Sequence, residues 1–327
     1  MANLKTNYMG LELKNPIIIG SSGLTNTVEG IKKLADNNAG AVVLKSLFEE
    51  QILMDTNKGI SENEADYPGA EEYISAFTKS HQLDEYIKLI EDVKIAVDIP
   101  VIASINCVSD NDWVLFASRI EKAGADAIEL NVSILPSDVN VKSIDSEKKY
   151  FDITEKVKAQ VSIPVSLKMS YFSAGLANLI QQLSFTGHVD SFVLFNRYYK
   201  PDIDIDTMKV TTSNIYSAPS EISESLRWIA LLSGSIEKDL AASTGVHDGK
   251  GVIKQILAGA SAVQMVSAIY EEGAGHINTV LNDVEKWMDK KGFENIDDFK
   301  GKISYANVKN PVVFERTQFM RYFSDIK

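Results

Sequence analysis

Two lysines and two asparagines stand where apolar strands are predicted to end. Lys45 follows Ala41-Val42-Val43-Leu44 and precedes Ser46; Lys168 follows Val165-Ser166-Leu167. Asn131 follows Ile128-Glu129-Leu130, and Asn196 follows Val193-Leu194-Phe195. A polar residue closing an apolar parallel strand gains nothing for a core. In a (β/α)8 barrel that position faces the active site. A strand-end ammonium can serve as a fixed positive charge, as a Schiff-base nucleophile, or as one half of a structural ion pair. Arg197, next to Asn196, could clamp a carboxylate bidentately. Ser243-Thr244-Gly245-Val246 and Ser267-Ala268 follow the last two predicted strands. Loops there can cradle a phosphate with backbone N–H groups, a glycine giving close approach. A plain glycine turn with a helix cap would explain Thr244-Gly245 equally well.

These residues need a frame that brings strand ends together. Strand-like runs alternate with helix-period segments, the pattern of parallel βα units. Strands are predicted at 16–22, 41–46, 100–107, 127–133, 164–170, 191–196, 239–243 and 262–268. Helices are predicted at 27–38, 82–97, 110–123, 152–161, 174–184, 221–232, 249–258 and 276–290. Eight such units make one (β/α)8 TIM barrel, a single domain over 1–327, with a C-terminal helical segment over 276–327. Two connections exceed ordinary barrel loops, 48–80 and 197–220. Both leave the carboxyl ends of strands. Alternation at Ile203/Ile205 and Met208/Val210 predicts a small hairpin in the second, and with it association as a homodimer.

The 327 residues are 45% hydrophobic, with no linker-like tract. The net charge is 33 − 45 = −12. An acidic chain argues against nucleic acid and anionic membranes as partners. The one cysteine, Cys107, excludes a disulfide framework and a thiolate metal site. No signal-peptide or membrane-spanning run is read, so the expected location is cytoplasmic and no metal is expected.

Together these residues resemble the dihydroorotate dehydrogenase family of FMN barrels over nearly the whole chain. Asn15-Pro16 before a strand ending in Gly20-Ser21-Ser22 is similar to the family's first strand, whose small residues pack against the flavin. The resemblance implies that Lys45 and Ser46 touch the flavin ring, and that Asn131, within Glu129-Leu130-Asn131-Val132-Ser133, lies beside flavin and substrate. It implies that Lys168 sits near flavin N1 and O2, and that Asn196 holds substrate. Thr244, Gly245, Val246, Ser267 and Ala268 would bind the FMN phosphate. The implied activity is oxidation of dihydroorotate to orotate in pyrimidine biosynthesis, with a soluble electron acceptor.

The chain departs from that family at the general base. The family places Cys, or Ser, directly after the Asn-x-Ser; here Ile134 stands there. The ring-gripping Asn-Ser-Met-Gly-Leu-Pro-Asn loop has no counterpart in 71–80. The pattern is most similar to the branch called dihydroorotate dehydrogenase-like proteins. Replacement bases are Ser133, Ser137, Tyr198 and His81, with Cys107 as a further thiol near the mouth. A lysine-dependent aldolase or lyase barrel, and a flavin-binding protein without dehydrogenase activity, stay open as alternatives.

Overall fold

The computed structural model describes residues 2–48, 70–106, 110–198, 200–212 and 214–315, with backbone alone for 70–80 and 110–113. The chain opens with an antiparallel hairpin, β1 (Thr6–Tyr8) and β2 (Leu11–Leu13). Parallel strands then alternate with helices. They run β3 (Ile17–Ile19), α1 (Val28–Asp36), β4 (Ala41–Val43), the two-residue β5 (Leu47–Phe48), α2 (Ala70–Ala96), β6 (Val101–Asn106) and α3 (Asp110–Lys122). Next come β7 (Ala127–Asn131), α4 (Ser143–Lys158), β8 (Val165–Met169), α5 (Leu176–Phe185) and β9 (Ser191–Leu194). A second hairpin, β10 (Pro201–Asp204) and β11 (Lys209–Thr212), precedes α6 (Ile222–Leu232), β12 (Asp239–Ala242), α7 (Gly249–Ala258), β13 (Ala262–Met265), α8 (Ser267–Glu272) and α9 (His276–Lys291). Strand β13 pairs with β3, and β4 with β6, so eight parallel strands close a ring. The predicted (β/α)8 barrel is the fold.

Side chains alternate across each strand, and the two buried apolar clusters divide by that alternation. Ile18, Ala41, Val43, Ile102, Ala127, Val193, Ala241 and Ala262 form the inner cluster, plugged by Tyr8, Met9 and Leu13 of the first hairpin. Their neighbours Ile17, Ile19, Val42, Val101 and Ile128 face the helices. Continuous apolar runs such as Pro16-Ile17-Ile18-Ile19 are the signature of strands buried on both faces. Helix starts are fixed by side-chain caps: Thr27 accepts from Gly30 N at 3.2 Å, and Asp248 from Gly251 N at 2.8 Å.

At the amino ends of the strands, Asp126 accepts from Val101 N (2.7 Å) and pairs with Lys94. Asp190 accepts from Val165 N (2.8 Å) and pairs with Lys158. These carboxylates tie helices to strands. The lysines and asparagines singled out above lie at the other end.

Several boundaries differ from expectation. Helix α2 begins at Ala70, which removes 70–80 from the supposed 48–80 loop; residues 49–69 lie outside the described residues. Helix α4 begins at Ser143, nine residues early, because Tyr150 is buried on its inner face. Ser267 and Ala268 belong to α8 and not to strand eight. Residues 276–315 form α9 and short 3-10 turns at Ile296–Asp298 and Pro311–Phe314. The predicted hairpin is present, with Ile203 opposite Val210.

Candidate active site

At the carboxyl ends of the strands the barrel interior turns from apolar to polar. Along β7 the inward positions read Ala127, Glu129, Asn131; along β8, Ser166, Lys168; along β13, Ala262, Gln264; along β6, Ile102, Ser104. The floor of the mouth is a buried triangle. Lys168 Nζ donates to Gln264 Oε1 at 2.9 Å and lies 3.6 Å from Glu129 Oε1. Gln264 Nε2 donates to Glu129 Oε2 at 2.5 Å. Glu129 is 1% exposed, and its Oε1 receives no hydrogen bond. A buried carboxylate needs a paired cation, and Lys168 supplies it.

Beside the triangle runs a chain of hydroxyls. Beyond Val43 the backbone leaves regular pairing: Lys45 N donates to Thr25 O at 3.2 Å, and Ser46 N to Ser21 Oγ at 2.8 Å. Ser46 Oγ lies 3.1 Å from Ser21 Oγ and 2.6 Å from Ser104 Oγ. Asn131 Nδ2 reaches Ser46 Oγ at 3.5 Å, while Asn131 Oδ1 is buried without a partner. Behind them the Tyr86 hydroxyl donates to Ser104 O (3.0 Å) and accepts from Ser104 N (2.8 Å); burial pushes this phenol up.

These groups line one cavity of about 600 Å³. Ser21, Lys45, Ser46, Asn131, Lys168 and Asn196 occupy its barrel side. Thr244, Gly245, Val246 and Ser267 close its far end. Gly20 lies just beneath, where an added Cβ would come within 3.0 Å of Val266 and 3.3 Å of Gln264 Oε1. Ala268 is buried in α8, behind the lining. Thr244 and Gly245 both have left-handed backbones, φ 76° and 77°. Glycine is required at 245 for a reason other than the expected approach to a ligand: a Cβ would lie 2.2 Å from Ile222 N, at the start of α6.

A strap at 214–218 crosses the cavity. Ser217 donates to Ser267 Oγ from its amide (3.0 Å) and from its hydroxyl (3.1 Å). His247 Nε2 lies 3.1 Å from Ser217 Oγ, with Glu271 3.5 Å from His247 Nδ1. Ser267 Oγ, accepting twice, keeps its own proton for the cavity. Tyr216 stacks on Tyr270 at 5.5 Å. Arg197 holds the strap, donating to the carbonyls of Asn214 (3.2 Å), Ile215 (2.8 Å) and Tyr216 (3.0 Å) and to both Glu221 oxygens (3.1 and 3.3 Å). Burial pushes the Glu221 carboxyl up, but hydrogen bonds from Arg197, the Ala218 amide and Lys200 outweigh it and hold it at about 2. The guanidinium expected to clamp a carboxylate of the substrate is thus engaged with the chain's own. Its partner is Glu221, 24 residues further along the chain.

The candidate bases scatter. Ser133 is exposed and outside the cavity lining, so the chain turns away before it. Ser137 is exposed and bonds Leu135 O (3.5 Å). His81 is an exposed residue of α2 beside Glu85 (3.5 Å). Cys107 lies outside the described residues. Ile134 packs against the core, and its carbonyl accepts from Ser170 Oγ at 2.8 Å. Tyr198 alone combines a buried hydroxyl with a cavity, one adjoining the first. Sequence reasoning missed Glu129, Gln264, Ser217 and His247. Period-two spacing from Asn131 and from Ala262 carried the signal for Glu129 and Gln264; the strap residues left none.

A family profile for dihydroorotate dehydrogenase matches residues 3–288. The chain belongs to the dihydroorotate dehydrogenase family. It is 28% identical over 313 residues to the "Dihydroorotate dehydrogenase B (NAD(+)), catalytic subunit" of Thermoplasma volcanium, covering 92% of this chain and 98% of that protein. It is 25% identical over 321 residues to the "Dihydroorotate dehydrogenase A (fumarate)" of Lactobacillus delbrueckii subsp. bulgaricus, covering 93% and 100%. The dihydroorotate dehydrogenase relationship therefore spans the barrel, both its ends and its mouth. Dihydroorotate dehydrogenases are flavoproteins, and the residues present fit that group. The unpartnered Asn131 Oδ1, the Lys168 ammonium and the Ser267 hydroxyl offer an acceptor, a charge and a donor around one cavity.

Proposed function

We propose that the protein is an FMN-dependent dehydrogenase acting on a CH–CH bond, one to which dihydroorotate itself is poorly suited. The observation that carries the reading is the Lys168–Gln264–Glu129 triangle beside the orphaned Asn131 oxygen. FMN, when bound, supplies the hydride acceptor. Thr244, Gly245, Val246 and Ser267 would hold its phosphate, and Gly20, Ser21, Lys45 and Ser46 its ring. Lys168 offsets the buried Glu129 carboxylate, so that a reduced, negatively charged ring would meet an ammonium with its charge partner behind it and not a bare carboxylate. Asn131 and Asn196 orient the substrate, and the strap at 214–218 excludes water. Pyrimidine biosynthesis is the route to which a dihydroorotate substrate would assign the protein.

The residue that departs from the family, Ile134, has no titratable group. Loss of a positioned base costs about 10²–10⁴-fold in proton abstraction. The aldolase reading is disfavoured by geometry: Lys168 Nζ is committed to Gln264 and Glu129. We further propose one domain, a cytoplasmic location, a soluble electron acceptor and a homodimer. No helix among the described residues is long and apolar enough to cross a membrane. The test is the visible absorption spectrum of the protein as purified, followed by anaerobic mixing with dihydroorotate. A flavin band that dihydroorotate bleaches only slowly is expected. A colourless protein that does not take up FMN would overturn the reading.

A further inference from the structure

A second cavity of about 410 Å³ opens beside the first, sharing Asn196, Arg197, Ser243 and Thr244 with it. Tyr171, Phe172, Phe195 and Tyr198 form its wall. The rings brace each other: Phe172 meets Tyr198 edge-on at 4.8 Å, and Tyr171 meets Phe172 at 4.4 Å and Phe195 at 5.7 Å. Such a wall presents flat apolar surface and ring edges at fixed positions, the shape that recognises another ring.

The charges in this chamber cancel. Its two cations are Arg197 and Lys200, and its two carboxylates are Glu221 and Glu224. Both cations are bonded to Glu221, at 3.1 and 2.9 Å. Glu224 accepts from Trp228 Nε1 at 3.1 Å. An incoming carboxylate would find both cations engaged and would face Glu224. One polar group remains to be satisfied: the Tyr198 hydroxyl has no hydrogen-bond partner, and because it exposes no surface a ligand meets it when the ring turns toward the chamber. Leaving such a group unpaired is costly, and a ligand atom that bonds it recovers the loss.

We infer that this chamber binds a planar, uncharged ring compound whose polar edge meets the Tyr198 hydroxyl. The inference deepens the proposed function, because the shared Asn196 would place that ring beside the cofactor cavity as substrate.

The test is isothermal titration calorimetry of the full-length protein with 2-naphthol and with 2-naphthoate, which share a ring system and differ in charge. We expect 2-naphthol to bind, 2-naphthoate to bind at least about tenfold more weakly, and Tyr198→Phe to weaken 2-naphthol by about five- to tenfold. Tyr198→Phe keeps the ring contact with Phe172, and its fold is checked by circular dichroism. Equal or tighter binding of 2-naphthoate, no binding of 2-naphthol, or an unchanged affinity in Tyr198→Phe would overturn the inference. Flavin content of the same samples separates the two readings. A colourless protein with Tyr198-dependent naphthol binding refutes the flavin and keeps the chamber. A yellow protein without it refutes the chamber alone.

Discussion

Lys168 donates to Gln264 Oε1 at 2.9 Å across the barrel interior, joining β8 to β13. That bond aims the ammonium, and Glu129, held by the same glutamine, neutralises it. Lys168→Ala leaves Glu129 buried and uncompensated, so chemical denaturation should show a loss of about 3–5 kcal/mol. In flavin-loaded protein the reduction potential should fall by roughly 30–60 mV, with about 30 mV equivalent to 1.4 kcal/mol. A potential equal to that of the parent would assign Lys168 a structural role only.

Glu221 supplies the pH dependence of the strap. Its folded pKa is about 2, below the ordinary 4.5. A depressed carboxyl stabilises the folded form above the unfolded value and loses that stabilisation as pH falls through the folded one. The strap should therefore stay closed above about pH 4.5 and loosen between there and about pH 2. Hydrogen exchange at residues 214–218, followed through that window, is the measurement. Glu221→Gln should show fast exchange already at neutral pH. Exchange independent of both pH and that substitution would detach Glu221 from the strap.

Stopped-flow mixing of oxidised, flavin-loaded protein with excess dihydroorotate should show bleaching slowed by about 10²–10⁴-fold relative to family members that keep the base. Rapid bleaching at neutral pH would restore dihydroorotate as substrate and require a base other than those considered.

The hairpin β10–β11 carries Ile203 and Val210 as a cross-strand pair, 68% and 73% exposed. A two-stranded ribbon with an uncovered apolar face is a poor monomer surface. Sedimentation should find a dimer at micromolar concentration, and Ile203→Lys with Val210→Lys should convert it to monomer. A monomeric parent protein sinks the idea.

Ser267→Ala removes a cavity-lining hydroxyl that accepts twice from Ser217, and FMN affinity should drop about 10- to 150-fold, the range of one hydrogen bond to a charged group. Gly245→Val is the less informative substitution. Its Cβ would collide with the first turn of α6, and flavin loss would accompany general destabilisation of about 1–3 kcal/mol. Fluorescence titration with FMN, beside thermal unfolding, tells the two apart.

The barrel was legible because burial on both faces leaves apolar runs of unmistakable length, and because helix-period segments separate them. Lys45, Lys168, Asn131 and Asn196 were legible for the opposite reason, each a polar residue where such a run stops. Ser133 failed because its place was taken from a motif, while its side-chain direction is decided by where the backbone turns after Asn131. Arg197 was misread because a guanidinium's partner is a tertiary fact: Glu221 is 24 residues away and three carbonyls come from a loop without periodicity. The 27 residues of α2 were cut short because the apolar spacing of Ala70, Tyr73, Ile74 and Phe77 is out of phase with that of Leu83, Tyr86, Ile87 and Ile90, so no single stripe runs its length.

The plug of the barrel floor has a consequence for synthesis. Thr6 bonds Ser261 O, Met9 N bonds Asp239, and Ser191 Oγ bonds the Tyr8 hydroxyl, across 255, 230 and 183 residues of chain. A ribosome releases residues 6–13 long before any of these partners exists. The hairpin must therefore wait, apolar side chains uncovered, until the last quarter of the barrel has emerged. Closure of the ring and full seating of its plug are one late event, and a chain halted before Asp239 holds six of the eight parallel strands with its stopper not yet anchored to the last two.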